Sequence, residues 1–328
     1  MKNMLRTYLR HVYRVFSGIS GFMYDITRFI RYSGWRSNMR DLEQRNYTMA
    51  MVYHGLEKSL SYKERNESSG WKNAFEILRL LRIANKTKMF GYHDKASMHV
   101  LEQFISLPEN LYKEDSAQIR KEIESYGIAK DNKMYGSMEY SSDDYSKGVL
   151  KSPEDFFYSR YSLRQFKDEV VSDEVIQRAV RLAMKTPSVC NRQAWGIYHT
   201  SDMETKNVVL SYQQGNKPFG EHIPNLMVVA TDLKAFFAGS EHYQHWIDGG
   251  LLSMSLLYAF HSLGLATCPL NWSQTPENDK KLRASVNIKP NHTVIMLIAI
   301  GYPDTNNKVC ASGRRPMNEV YINLEKLK

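Results

Sequence analysis

Cysteine is scarce: Cys190, Cys268 and Cys310 are the only three in 328 residues, and no two stand at Cys-x-x-Cys spacing. That excludes a disulfide framework and predicts a reducing, cytoplasmic setting. No His/Cys pair has zinc spacing either, so no metal is expected. No stretch approaches the ~18 consecutive apolar residues of a membrane span. The first residues, with arginines breaking their apolar positions, do not read as a signal peptide. Gly-x-Gly-x-x-Gly and Gly-x-Ser-x-Gly are both missing, so neither a Rossmann fingerprint nor a hydrolase nucleophile elbow is supported. Acidic residues are nearly absent from one region. The first 40 residues hold eight Lys/Arg and a single acid, Asp25.

What is present suits a folded chain. Hydrophobic residues make up 42% and charged residues 24%, a balance that can bury a core and argues against global disorder. The length allows two compact domains. Net charge is +9, but residues 41–150 carry 16 basic and 17 acidic groups and residues 151–328 carry 20 and 17. The excess therefore belongs to the N-terminal arm. There Arg6, Arg10 and Arg14 fall on one helical face, and Leu5, Tyr8, Leu9, Val12 and Phe16 on another. Such a helix either packs on its own domain with a solvated arginine face or lies on an anionic membrane surface. Nucleic acid is not expected, since the charge sits in one arm with few interleaved stacking motifs.

Residues 1–130 read as a helical N-terminal extension, with residues 1–40 as the basic amphipathic arm. Helical periodicity is clear over 71–82, and Leu101, Phe104 and Ile105 mark a helix stopped before Pro108. Residues 131–153 have no apolar period and read as a linker. From 154 to 328 helices and strands alternate. Ser172 is placed to cap a helix with Val175, Ala179 and Leu182 as its buried stripe. Residues 195–199, 226–230 and 293–300 have strand character, the last two as continuous apolar runs suited to central strands. Residues 248–263 are apolar nearly all round and predict a buried helix, stopped at Gly264. Asp248, near its start, reads as a residue favouring the helix N-terminus. Thr275 and Pro276 stand in N-cap and N1 order.

Four segments of this half could carry chemistry. They are Arg160-Tyr161-Ser162-Leu163-Arg164-Gln165-Phe166, Pro187-Ser188-Val189-Cys190-Asn191-Arg192-Gln193-Ala194-Trp195, the run from His261 to Asn271, and Arg314-Arg315. Brought together, Arg160, Arg164, Arg314 and Arg315 would make an anion site, because guanidinium forks bind phosphate oxygens in parallel pairs. Ser162 could add a hydroxyl. Asn191 and Gln193 offer donors and acceptors matched to the edge of a planar heterocycle. Singly, each segment is ordinary: a solvated charge run, turn chemistry or a helix C-cap.

In this order, the four segments resemble the nitroreductase family. The resemblance implies an α+β fold with a central, mostly antiparallel sheet flanked by helices, and FMN bound at the interface of a homodimer. It implies that Arg160, Tyr161, Ser162 and Arg164 hold the FMN phosphate and the pyrimidine side of the ring. Pro187, Ser188, Asn191 and Gln193 would line the ring. Leu270 and Asn271 would form a loop whose backbone reaches flavin N5, and Arg314 and Arg315 would bind phosphate. NAD(P)H would deliver electrons to FMN, and a small-molecule acceptor would take them in a ping-pong cycle. No catalytic residue beyond the flavin is implied. Cys190 stands beside the ring as a packing or redox residue. Val189 and Ala194 depart from the more usual Ser and Pro, and Cys268-Pro269-Leu270-Asn271-Trp272 departs from a glycine-rich stretch.

A second segment, Tyr53-His54-Gly55-Leu56-Glu57-Lys58-Ser59-Leu60-Ser61, resembles a signature of longer nitroreductase-like proteins from polysaccharide-biosynthesis gene clusters. His54, Glu57 and Lys58 share a helical face. They read either as a hydrogen-bonded surface or as groups facing substrate, His54 first among them. The rival functional reading is a flavin-binding accessory protein without reductase activity, which binds a glycan or lipid-linked intermediate or a partner enzyme. Peripheral contact with the cytoplasmic face of a membrane through residues 1–40 is compatible with either reading.

Overall fold

A computed structural model describes residues 2–128 and 135–326. Among the described residues, five α-helices form the N-terminal extension: α1 (Lys2–Tyr32), α2 (Leu42–Ser61), α3 (Trp71–Thr87), α4 (Tyr92–Ile105) and α5 (Glu114–Ser125). The periodic apolar positions of α2 to α5 meet in one core that includes Met49, Leu56, Ile77, Leu81, Leu101 and Phe104. Inside it, fully buried Arg45 pairs with fully buried Asp94 at 3.1 Å and donates to the carbonyls of Met39 and Met89. Such a pair is tolerable only because its remaining hydrogen bonds are met. The expected linker is in part outside the described residues, which omit 129–134. Its remainder contains a short helix, α6 (Ser142–Ser146), closed by a Ser141/Asp144 capping box.

The second half is a four-stranded antiparallel sheet with helices on both faces. After α7 (Pro153–Ser159) and α8 (Asp173–Ala183) come β1 (Trp195–Thr200), α9 (Met203–Ser211), β2 (Asn225–Asp232), α10 (Gln244–Ser262), β3 (Ala266–Asn271), α11 (Pro276–Ser285) and β4 (His292–Gly301). Strand order is β1-β2-β4-β3. In β2, Leu226 and Val228 enter the core on one face, while Met227 and Val229 enter the other with Leu252, Leu256 and Phe260 of α10. Burial on both faces explains why β2 and β4 are continuous apolar runs rather than alternating ones. Gly249 lets α10 lie close on the sheet: a Cβ there would stand 2.5 Å from the Ile295 side chain. This is the α+β architecture the sequence predicts.

The extension is joined to the sheet domain by a small shared core of Phe29, Ala194, Leu233, Ala235 and Phe236, with Tyr47 and Val189 against it. Around it, Tyr47 donates to Asp232 at 3.0 Å, and Lys234 bridges Asp41 and Glu43. Arg28 donates to the His292 carbonyl at 2.9 Å.

Three expectations need correction. The buried stripe of α8 is Ile176, Ala179 and Ala183, whereas Leu182 is half exposed. The stripe is rotated by one position toward the sheet. Helix α10 is not buried all round, since Trp246, Ile247 and Leu251 face outward at 40–45% exposure. Leu270 and Asn271, expected in a loop, lie in the strand formed by residues 266–271. Pro269 argues against a strand, but β3 is at the sheet edge, where a missing N–H is tolerated.

Candidate functional site

The two ends of α10 organise the candidate residues. At its C-terminal end, Gly264 takes a positive φ of 75° and turns the chain into β3. Residues 160–167 run beside that strand. Ser162 bridges Thr267 in parallel, Leu163 N–H donates to the Thr267 carbonyl at 3.0 Å, and Phe166 bridges Pro303. His261 Nε2 lies 3.0 Å from the Ser159 hydroxyl and 3.1 Å from the Phe156 carbonyl, which ties α7 to the helix end. Together these residues enclose a cavity of about 210 Å³ lined by Arg160, Tyr161, Leu163, His261, Thr267 and Pro303, among others. That is smaller than a whole-ligand pocket but roomy for a phosphate group.

Arg160 is the informative side chain here. Its Nη1 is buried and has no hydrogen-bond partner among the described residues. A buried guanidinium N–H left unpaired is costly, and an anion would satisfy it. Arg164 is exposed, lies over the Phe219 ring, and approaches Cys310 Sγ at 3.9 Å. The C-terminal segment therefore passes beside the first motif. Arg314 turns back onto the Ser312 carbonyl, and Arg314 and Arg315 are both exposed.

At the N-terminal end of α10 sits the second motif, in a strained backbone. Cys190, Asn191 and Gln193 have φ of 49°, 51° and 52°. Asn tolerates this region; Cys and Gln do so at a cost of about 1 kcal/mol each. The loop is over-determined by its contacts. Ser188 Oγ accepts from Gln193 N–H at 3.0 Å, and Gln193 Nε2 donates to Asn191 Oδ1 at 3.1 Å. Asp248, buried in α10, accepts from Val189 N–H at 3.2 Å and from Gln244 Nε2 at 2.9 Å. Burial pushes the Asp248 carboxyl above its usual range, and these hydrogen bonds pull against it. Asp248 is thus the anchor of the loop as well as an early residue of its helix.

Arg192, whose place between two turn residues gives no sign of burial, holds the same loop from below. It is 2% exposed, donates to the Ala235 carbonyl at 2.8 Å and pairs with Glu241 at 3.0 Å. It also stacks 4.5 Å over Phe237 and touches Met51 Sδ of α2. His93 of α4 makes a hydrogen bond with the Arg192 backbone and sits 2.9 Å from the Tyr53 hydroxyl. Burial lowers the His93 pKa to about 4, so it is neutral near pH 7. The helical extension is therefore part of the wall behind this loop.

The four segments do not all converge within one chain. The first and third meet directly, and the fourth comes near at Cys310. The second is bonded to Asp248, thirteen residues along α10 from His261, or about 20 Å at helical rise. Leu270 and Asn271 lie in β3 rather than in a loop. Leu270 is buried in the core, and Gln213 donates to the Asn271 carbonyl at 3.3 Å. Cys190 is half-buried in the strained loop, whereas Cys268 is buried and its thiol is pushed up by that burial. His54 bonds Glu57 at 3.1 Å and lies one helical turn beyond Met51. Among the described residues no cluster of His, Cys, Asp or Glu could hold a metal.

The chain is similar in sequence to known proteins. The nitroreductase family's sequence model matches residues 158–223. A protein of Archaeoglobus fulgidus assigned as an NADH dehydrogenase/NAD(P)H nitroreductase is 30% identical over 150 residues, covering 44% of this chain and 82% of its own length. The iodotyrosine deiodinase of Hydra vulgaris is 26% identical over 223 residues, covering 58% and 79%. Among solved structures, an FMN-dependent nitroreductase from Clostridium difficile aligns with a TM-score of 0.45 at 21% identity, over 52% of this chain and 98% of that one. The match to the archaeal protein is 30% identical and spans 82% of that relative, and so the chain belongs to the nitroreductase family of oxidoreductases.

Proposed function

We propose that this protein is an FMN-dependent oxidoreductase that works as a homodimer, with FMN held between the Arg160 end of one copy and the Ser188–Gln193 loop of the other. The observation that carries the reading is Arg160, which lines a phosphate-sized cavity and has a buried Nη1 without a hydrogen-bond partner among the described residues. Arg160, Tyr161, Ser162 and Arg164 would hold the phosphate side. Pro187, Ser188, Asn191 and Gln193 would line the ring, and Arg314 and Arg315 would close over the phosphate from the tail. Leu270 and Asn271 would contribute through the backbone of β3. Two copies are favoured because the half-sites stand about 20 Å apart along α10 in one chain. Apolar surface also awaits cover: Trp246, Ile247 and Leu251 on α10, and Met317, Val320 and Tyr321 in the tail, are exposed.

When bound, FMN would carry electron pairs from NAD(P)H to a small-molecule acceptor in two half-reactions. Asn191 and Gln193 offer side-chain amides to the ring edge, and a donor there stabilises negative charge on a reduced ring. His54 and Cys190 are the chain's candidates for facing the acceptor. The resemblance of the segment containing His54 to longer relatives suggests a role in polysaccharide biosynthesis. The site of action would be the cytoplasm, with residues 1–40 in contact with the membrane's cytoplasmic face.

The test is direct. The purified protein should bind one FMN per chain, and NADH or NADPH should bleach it in stopped-flow. Failure to take up added FMN overturns the proposal. Bound FMN that neither nucleotide reduces would favour the accessory-protein reading.

A further inference from the structure

Helix α1 docks on the body with the wrong face for a helix in water. Its polar side makes the contacts: Tyr24 donates to Asp279 at 2.7 Å, and one turn later Arg28 donates to the His292 carbonyl at 2.9 Å. At the root, Phe29 and, in part, Tyr32 add buried apolar area. The opposite side is a continuous apolar stripe through Leu5, Leu9, Phe16, Ile19, Phe22 and Ile26, each 50–72% exposed. Helices of globular proteins normally do the reverse. The stripe is not a local accident, because the helix runs 31 residues, about 46 Å. From residue 4 to residue 20 every residue but Val12 is exposed.

The charge on the remaining faces points to one occupant. Arg6, Arg10 and Arg14 follow at i, i+4 spacing across from the stripe, and no acid precedes Asp25. At the root, Arg28, Arg31, Lys280 and Arg283 line a cleft that Met23 and Thr27 also border. It therefore opens beside the stripe. A second copy of α1 fits poorly. The stripe is wider than a two-helix seam, and there are no flanking acids to pair with the arginines of another copy. An anionic lipid surface supplies both an acyl boundary and negative charge. Among the described residues no helix is long and apolar enough to cross a membrane, so α1 would lie in its plane.

We infer that α1 binds the surface of a membrane rich in anionic phospholipid, with the Leu5–Ile26 stripe in the acyl boundary and the body held on the water side by Tyr24 and Arg28. This rests on the membrane-contact reading of residues 1–40 and names its lipid; it is independent of the flavin.

Full-length protein should float with phosphatidylcholine vesicles containing phosphatidylglycerol. Binding should weaken by at least about tenfold with phosphatidylcholine alone or in high salt. A Leu9→Glu/Phe16→Glu variant should lose flotation while keeping the FMN content and oligomeric state of the parent. Arg10→Glu/Arg14→Glu should lose the preference for anionic vesicles. Equal binding to both vesicle types would overturn the anionic-lipid inference and leave membrane contact standing. Binding to neither would overturn both. If Leu9→Glu/Phe16→Glu changes the oligomeric state and leaves flotation intact, a second copy covers the stripe and the inference fails.

Discussion

The two ends of α10 hold their candidate residues in opposite ways. At the Arg160 end the protein leaves a buried guanidinium N–H unpaired and two tail arginines in water. At the Ser188–Gln193 end, three left-handed residues are pinned by Ser188, Asp248 and a nearly inaccessible Arg192. Strain of this kind persists only where surrounding contacts over-determine it. The loop end is held by many protein contacts, including helices from outside the sheet domain, although Arg192 Nε and Trp195 Nε1 there also lack a hydrogen-bond partner among the described residues; the Arg160 end has fewer such contacts. A homologous domain without the extension would have to brace this loop differently.

Acid should separate the two ends most strongly. His93, His245 and His292 each have a pKa lowered to about 4, first of all by burial, and all three lie on the loop side or at the shared core. Below the unfolded value near 6.5, the unfolded chain takes up protons that the folded chain refuses. Stability contributed by these groups is therefore full above pH ~6.5 and lost progressively down to pH ~4. Urea midpoints measured at pH 7, 5.5 and 4.5 should fall in that order. Buried Asp94, Asp232 and Asp248 are held above the usual carboxylate range and act with the opposite sign, so midpoints that stay flat or rise toward pH 4.5 would show that the histidines do not dominate the acid response.

Arg192→Ala should come next. It removes a buried ion pair, a carbonyl contact and a stacking contact, and should cost about 3 kcal/mol in urea unfolding along with FMN binding. Arg160→Gln should behave oppositely. FMN affinity should drop by about 2 kcal/mol, roughly thirtyfold, while the apo protein melts no lower than the parent. A clear loss of apo stability in Arg160→Gln would erase the contrast. Smallest is Arg314→Ala, an exposed tail position, where FMN affinity should weaken by only about 0.5 kcal/mol with no effect on melting.

The sequence carried the fold class because β2 and β4 are apolar on both faces, and Thr275-Pro276 and Gly264 mark helix ends by local chemistry. It concealed β3, since Pro269 signals against a strand until the strand is known to be an edge. It also concealed Arg192. An arginine between two turn residues reads as solvated, and only contacts with Met51, Ala235, Phe237 and Glu241, all more than forty positions away, bury it. The one-position error in α8 has a simple origin: Val175 and Leu182 are as apolar as the residues that are buried, so periodicity alone cannot choose the phase.

The claim that matters most is that one FMN draws its phosphate contacts and its ring contacts from different copies. An Arg160→Glu chain co-expressed with an Asn191→Ala/Gln193→Ala chain, and purified through two tags as the mixed dimer, tests it. Each parent variant should bind FMN poorly. The mixed dimer should carry one site with every defect and one with none, and so bind one FMN per dimer at the affinity of the unaltered protein. A mixed dimer with no tight site would contradict the account and place both halves of the flavin cradle in a single chain.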